Sequence, residues 1–157
     1  MPSSFPKDIK LADALDNTDG FLVFSEKLVD FLSSQLALKS NEVLEVGIVN
    51  HKGRREQAKY FIVHQISRPK CVDEQKTVGT KSHINPAEYQ FLESLVLVED
   101  RLDPEVAIFR AAEYSDEAIF RAALAEKILA AGFTGGIEFF GLDAFDDDER
   151  FRIRMGG

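Results

Sequence analysis

The chain has 157 residues, of which 45% are hydrophobic and 13 are Phe, and its formal net charge is −8. This composition fits one globular domain with a sizeable core, and the lack of any run of 18 apolar residues excludes a transmembrane helix. The charge argues against nucleic acid as a partner, because phosphate affinity comes from neutralising cations, and it favours a basic partner.

That charge is unevenly spread. Residues 51–81 hold eight Lys/Arg against three acids, a local +5, while the rest holds 11 against 24, a local −13. The opening MPSSFPKDIK carries two prolines and no apolar signal core. Cys71 is the only cysteine, so no internal disulfide can form. Together these features predict a cytoplasmic protein.

In chain order, residues 1–19 read as a lead-in, with one short helical turn available in IKLADAL. GFLVF (20–24) predicts a buried strand. Ser25 then stands as the N-cap of a helix through EKLVDFLSSQL, where Leu28, Phe31, Leu32 and Leu36 recur at helical spacing. EVLEVGIV (42–49) and AKYFIVHQI (58–66) flank the turn residues NHKG, which predicts an antiparallel hairpin. Pro69 ends or disturbs the second strand, since it has no N–H for a ladder. Residues 72–90 read as a polar loop. SLVLVE (94–99) and EVAIFRA (105–111) read as strands, with Asp103-Pro104 turning between them. LAEKILAAGF (124–133) reads as the end of a helix with Gly132 placed for its C-cap, and GGIEFFGL (135–142) as a last strand.

The fold class is therefore α+β: a single domain over residues 20–142, with a largely antiparallel sheet and two main helices. An acidic loop and tail follow over 143–157. A short self-similarity is present as well. VFSEKLVDFL (23–32) aligns on IFRAALAEKI (119–128), each with an apolar-Phe pair before a helix whose first Leu lies four residues beyond that Phe. The predicted core is Phe24, Leu28, Leu32, Phe61, Val63, Leu97, Phe109, Leu124, Ile128 and Phe139.

Cys71 lies seven residues after His64 and two before Asp73, a spacing that raises the question of a cysteine enzyme. A nucleophilic thiolate needs a base within reach and a cation or helix start to lower its pKa. His64 instead shares a strand face with Tyr60, Ile62 and Ile66. Pro69 intervenes, and no Gly-rich elbow surrounds Cys71. The pattern favours a packed thiol acting as a small hydrophobe. His51, His64 and His83 are 13 and 19 residues apart, without paired ligand spacing. DAFDDDE (143–149) lacks the Gly turn and terminal Glu of a calcium loop, so neither a metal nor a cofactor site is predicted. GFTGG (132–136) follows a helix, where its glycines serve a cap and turn and not a phosphate. HKGRR (51–55) has no aromatic interleaving and reads as a solvated turn.

The ordered fragments LVFSEKLVDFL, KYFIVHQISRPKCVDEQKT, LVLVEDRLDPEVAIFRAAEY and LAEKILAAGFTGGIEFF resemble a family of bacterial immunity proteins. That family was first catalogued as a domain of unknown function and is encoded beside polymorphic toxins. The matching marks are a hydrophobic strand leading to Cys-Val-Asp, IFR after a turn, and a helix ending AAGFTGG before an aromatic strand. The likeness covers roughly residues 20–142. It implies a protein that binds and neutralises a cognate toxin and has no catalytic residue, with Cys71 and Asp73 as framework positions. One departure is Arg121, which stands where the first unit has the capping Ser25. Acidic character suits a basic toxin, and the dense acids Asp143, Asp146, Asp147, Asp148 and Glu149 are the candidate toxin-binding residues. The alternatives are a small cytosolic enzyme with an unrecognised site, which a deep pocket holding Cys71 and His64 together would favour, and a protein-binding adaptor unrelated to toxins.

Overall fold

The computed structural model describes residues 12–17 and 19–143. Strands β1 (Ala14–Leu15), β2 (Leu22–Ser25), β3 (Asn41–Val46) and β4 (Tyr60–Gln65) form a four-stranded antiparallel sheet in the order β1-β2-β4-β3. Two antiparallel hairpins complete the strands, β5 (Val78–Lys81) with β6 (Tyr89–Ser94), and β7 (Ile108–Ala111) with β8 (Tyr114–Phe120). Helix α1 (Glu26–Ser34) follows β2 and helix α2 (Ala122–Ala130) follows β8. The architecture is α+β with two helices and antiparallel strand pairs throughout.

Local chemistry explains the helix ends. The Ser25 hydroxyl accepts the Leu28 N–H at 3.3 Å, capping α1. No side chain caps α2, because the Arg121 guanidinium has no acceptor for the first-turn N–H groups; it donates instead to the Val106 and Asp103 carbonyls at 2.8 and 2.9 Å. Gly132 (φ +90) closes α2, with its N–H on Leu129 O and the Phe133 N–H on Ile128 O. That is the paired bonding of a left-handed helix terminus. Leu36 adopts the same left-handed conformation after α1 (φ 55) and is 83% exposed, so it leaves the apolar stripe on which its spacing placed it.

Four expectations are corrected. IKLADAL gives no helical turn over its described residues; Ala14–Leu15 pair with β2, so the sheet starts inside the stretch read as lead-in. Residues 72–90 are not all loop. VGTK forms β5, a short and mostly exposed strand whose polar sequence concealed it. The strand read at 94–99 lies earlier, at β6. Beyond it the chain's backbone hydrogen bonds are divided between two segments: Leu95 N–H goes to Leu142 O, whereas Val96 O accepts the Asp73 N–H and Val98 N–H goes to Cys71 O. One isolated bridge, Val72–Leu97, is all the ladder that results. AAEYSDEAIF, whose central acids interrupt the apolar alternation, supplies β8. GGIEFFGL keeps its alternation, with Ile137 and Phe139 half-buried and Glu138 and Phe140 exposed, yet it joins no strand ladder among the described residues. Gly136 (φ +77) sets its path. A Cβ there would fall on the Ala14 carbonyl oxygen, so only glycine lets this segment lie against β1.

The β7–β8 hairpin is the wall between two apolar clusters. Ile108 faces one, with Phe24, Leu28, Leu32, Val63, Leu124 and Ile128; Phe109 and Ile119 face the other, with Cys71, Tyr89, Leu92 and Tyr114. Period-two alternation sends neighbouring residues to opposite sides. Of the predicted core, Phe61, Leu97 and Phe139 are only partly buried and pack against these clusters, and the others are buried. The two similar strand–helix units place Leu28 and Leu124 in the same cluster, with the Phe24 and Phe120 ring centroids 6.4 Å apart.

Arg110, 9% exposed, ties the hairpin to the large sheet. Its guanidinium donates to Gln65 Oε1 at 2.9 Å, to Ser115 O at 2.9 Å and to Gly20 O at 2.7 Å. Gln65 in turn donates to Asn41 Oδ1 and Val63 O, and Asn41 donates to Ile108 O. The network joins β3, β4, β7, β8 and the turn before β2. Burial lowers the Arg110 pKa, with Arg68 adding to the fall, but a guanidinium stays protonated. Its acceptors are neutral, and charge-assisted bonds of this kind exceed ordinary ones in strength. Arg110→Met is expected to cost at least about 3 kcal/mol in urea unfolding, because three inward acceptors lose their donor. Arg110→Lys should also destabilise, since an ammonium cannot span the fork. An unchanged unfolding midpoint in either variant would contradict this role.

Candidate functional site

A cleft of about 1300 Å³ lies among the described residues between β1–β2, β8, the face of α2, and residues 134–142. Its floor is aromatic. The Phe120 ring meets Phe139 edge-on at 5.2 Å and Phe24 at 6.4 Å, separations at which aromatic pairs attract. Phe21 and Phe140, 44% and 45% exposed, present further rings at its mouth. Six carboxylates line the cleft, those of Asp16, Glu99, Asp116, Glu117, Glu126 and Glu138, against two guanidiniums, Arg110 and Arg121. Both guanidiniums are already bonded to backbone carbonyls, and that of Arg121 also pairs with the Glu99 carboxylate at 3.5 Å. The cleft is thus apolar within and negative around it, which suits a ligand with apolar anchors and positive flanks.

The sequence-predicted residues lie elsewhere. Cys71 is fully buried in the second cluster and His64 is half-buried on β4, directly opposite Glu42 of β3; neither lines the cleft. Burial, reinforced by the Glu113 carboxylate, pushes the Cys71 thiol up to about 11. Glu113 is itself buried, with one oxygen accepting the Val72 N–H at 3.0 Å. This is the reverse of what a nucleophilic cysteine needs. Asp73 holds a turn by accepting the Gln75 and Lys76 N–H groups. Both residues are framework positions in this fold.

His51 and His83 are exposed, and no three His, Cys, Asp or Glu side chains among the described residues are grouped to hold a metal ion. HKGRR is a turn organised by Asn50, whose Oδ1 accepts the Lys52 and Arg54 N–H groups. Of the acidic set, Asp143 is exposed just after the cleft-lining Leu142. Asp146, Asp147, Asp148 and Glu149 lie outside the described residues. The cleft acids were missed because they are scattered over more than a hundred positions of sequence, from Asp16 to Glu138. The Phe residues of VF, IF and EFF were the only local signal. No helix among the described residues is long and apolar enough to cross a membrane. No protein-family model and no curated protein matches the chain.

Cys71 should therefore react with a thiol reagent far more slowly than a free thiol at neutral pH, and quickly once the chain is unfolded. A fast native rate that His64→Ala abolishes would contradict this. The same burial gives a pH dependence. The native thiol keeps its proton to about pH 11, whereas the unfolded thiol loses it near its ordinary 9.0. Between those values the unfolded state binds fewer protons, so the Cys71 contribution to stability falls as pH rises. The stability difference between the wild type and Cys71→Ala should be constant below pH 8 and shrink from pH 9 to 11.

Proposed function

We propose that the chain is an immunity protein that binds a cognate bacterial toxin and blocks its active site or substrate groove. The observation that carries this reading is the apolar cleft whose lining holds six acidic residues against two arginines, both bonded to backbone carbonyls, with Arg121 also paired with Glu99. The resemblance of the ordered fragments to toxin-immunity proteins supports it. So does the overall charge of −8, which favours capture of a basic protein. The competing cysteine-enzyme reading has the burial and raised pKa of Cys71 against it. A cytoplasmic site of action fits a single buried thiol with no disulfide partner.

The test is co-expression with the toxin encoded beside its gene, followed by stopped-flow binding of the purified pair. Cells should survive only with the immunity chain present. The association rate should fall by about tenfold or more from low to high salt, while dissociation changes little. Charge reversal at Asp146, Asp147 and Asp148 should slow association and flatten its salt dependence. No protection and no complex would overturn the reading.

A further inference from the structure

We propose that the chain pairs with a second copy of itself through β3, in an antiparallel two-fold contact centred on Leu44 that joins the two four-stranded sheets into one. No β3 residue lines the cleft, so the inference stands apart from toxin capture. β3 is the end strand of its sheet. Glu42, Val43, Leu44 and Glu45 are all exposed. Neighbouring strand residues point to opposite faces, so solvent reaches both faces of β3. Edge strands are commonly guarded by Lys, Pro, a bulge or shortness. NEVLEV has six residues with no Lys and no Pro, and it keeps an unbroken register with β4.

The two glutamates select how such a strand can meet itself. An axis between Val43 and Leu44 would set Glu42 directly opposite Glu45 of the other copy, and like charges so placed repel. An axis through Leu44 sets Leu44 on Leu44, Glu45 opposite Val43 and Glu42 opposite Val46. Leu44, 47% exposed, stands beside Ile62 of β4, so this register carries one apolar row across the axis. An axis through Val43 also separates the glutamates, but it centres on the less exposed side chain, at 36%.

Charge at the two ends of β3 favours the antiparallel sense. Beyond Val46 the hairpin continues as an arm, held by the Val49–Arg55 bridge and by Asn50, whose Oδ1 accepts two turn N–H groups. Lys52, Arg54 and Arg55 are exposed on this arm and form no ion pair among the described residues. The opposite end is acidic. Glu42 stands there, and Asp103 and Glu105 both pair with Lys39, two acids on one cation. Counted outward from the axis, residue 49 of one copy comes level with residue 39 of the other. Each basic arm then lies beside the other copy's acidic end, and the two-fold axis makes that match twice. A parallel pairing would set like ends together.

The experiment follows the full chain by sedimentation across a concentration series. The wild type should form a dimer that Leu44→Lys weakens by at least about tenfold. Glu42→Lys alone and Arg54→Glu/Arg55→Glu alone should each weaken self-association by at least about tenfold, because each sets like charges together at both ends. An equimolar mixture of those two variants should associate within about threefold of wild type, since every arm again faces an opposite charge. A folding defect could not produce that restoration. Net charge could not either, because Glu42→Lys makes the chain less negative and would otherwise favour association.

Facing residues of an antiparallel pair stand about 4.5–5.5 Å apart at Cα, within disulfide reach. Under mild oxidation Leu44→Cys should therefore form a covalent dimer faster than Val43→Cys, and faster than Ile84→Cys on a fully exposed turn, while the buried Cys71 stays out of the reaction. A wild type that remains monomeric up to about 1 mM overturns the proposal. So does a mixture that fails to restore association, or a Val43→Cys or Ile84→Cys variant that crosslinks as fast as Leu44→Cys.

Discussion

A charged guanidinium taken out of water must be surrounded by acceptors, and Arg110 is the residue on which this arrangement turns. Its three donors reach three separate places: the Gln65 side chain of β4, the Ser115 carbonyl of β8 and the Gly20 carbonyl before β2. Each bond fixes one piece of chain against another. The hairpin cannot slide along the sheet without leaving a buried donor or carbonyl unpaired, which costs far more than a surface bond is worth. The apolar clusters on either side of β7–β8 supply the bulk of the driving force but little direction. Arg110 supplies the direction, and Gln65 and Asn41 pass it on to β3.

The cleft follows from the same constraint. Once β7 is tied to β4 and to residues 67–69, β8 is left with β7 alone as a strand partner among the described residues. The aromatic residues of the two strand–helix units, Phe24 and Phe120, then stand together beneath the opening. Gly136 brings residues 134–142 against β1 and closes the far wall. The polar chemistry that caught attention in the sequence, Cys71 with His64 and Asp73, is absorbed by the framework. A thiol pushed up to about 11 is a packing group at neutral pH.

Much of the fold could be read from the chain because its signals were local. Ser25 before an apolar helical stripe, the β3–β4 pattern around NHKG and Gly132 after LAEKILAA each carry their own physical reason. The failures were also physical. VGTK has too little apolar content to announce a strand, and Asp116 and Glu117 interrupt the alternation of β8. SLVLVE and GGIEFFGL have strand composition but lack a continuous neighbour, and a ladder depends on partners that composition does not encode. The site was less legible than the fold. Its acids come from five separate stretches of chain, and their convergence is a tertiary property. Arg110 sat in view within the IFR motif, but nothing local shows that its guanidinium turns inward.

Native-state hydrogen exchange tests the central claim most directly, because it reports whether the hairpin and the sheet open together. If Arg110 joins them into one cooperative unit, the slowest amides of β4, such as Val63, and of β7–β8, such as Phe109 and Ile119, should exchange at the same opening free energy, equal to that of global unfolding. A β7–β8 hairpin that opens several kcal/mol below β4 would show two independent units and contradict the account.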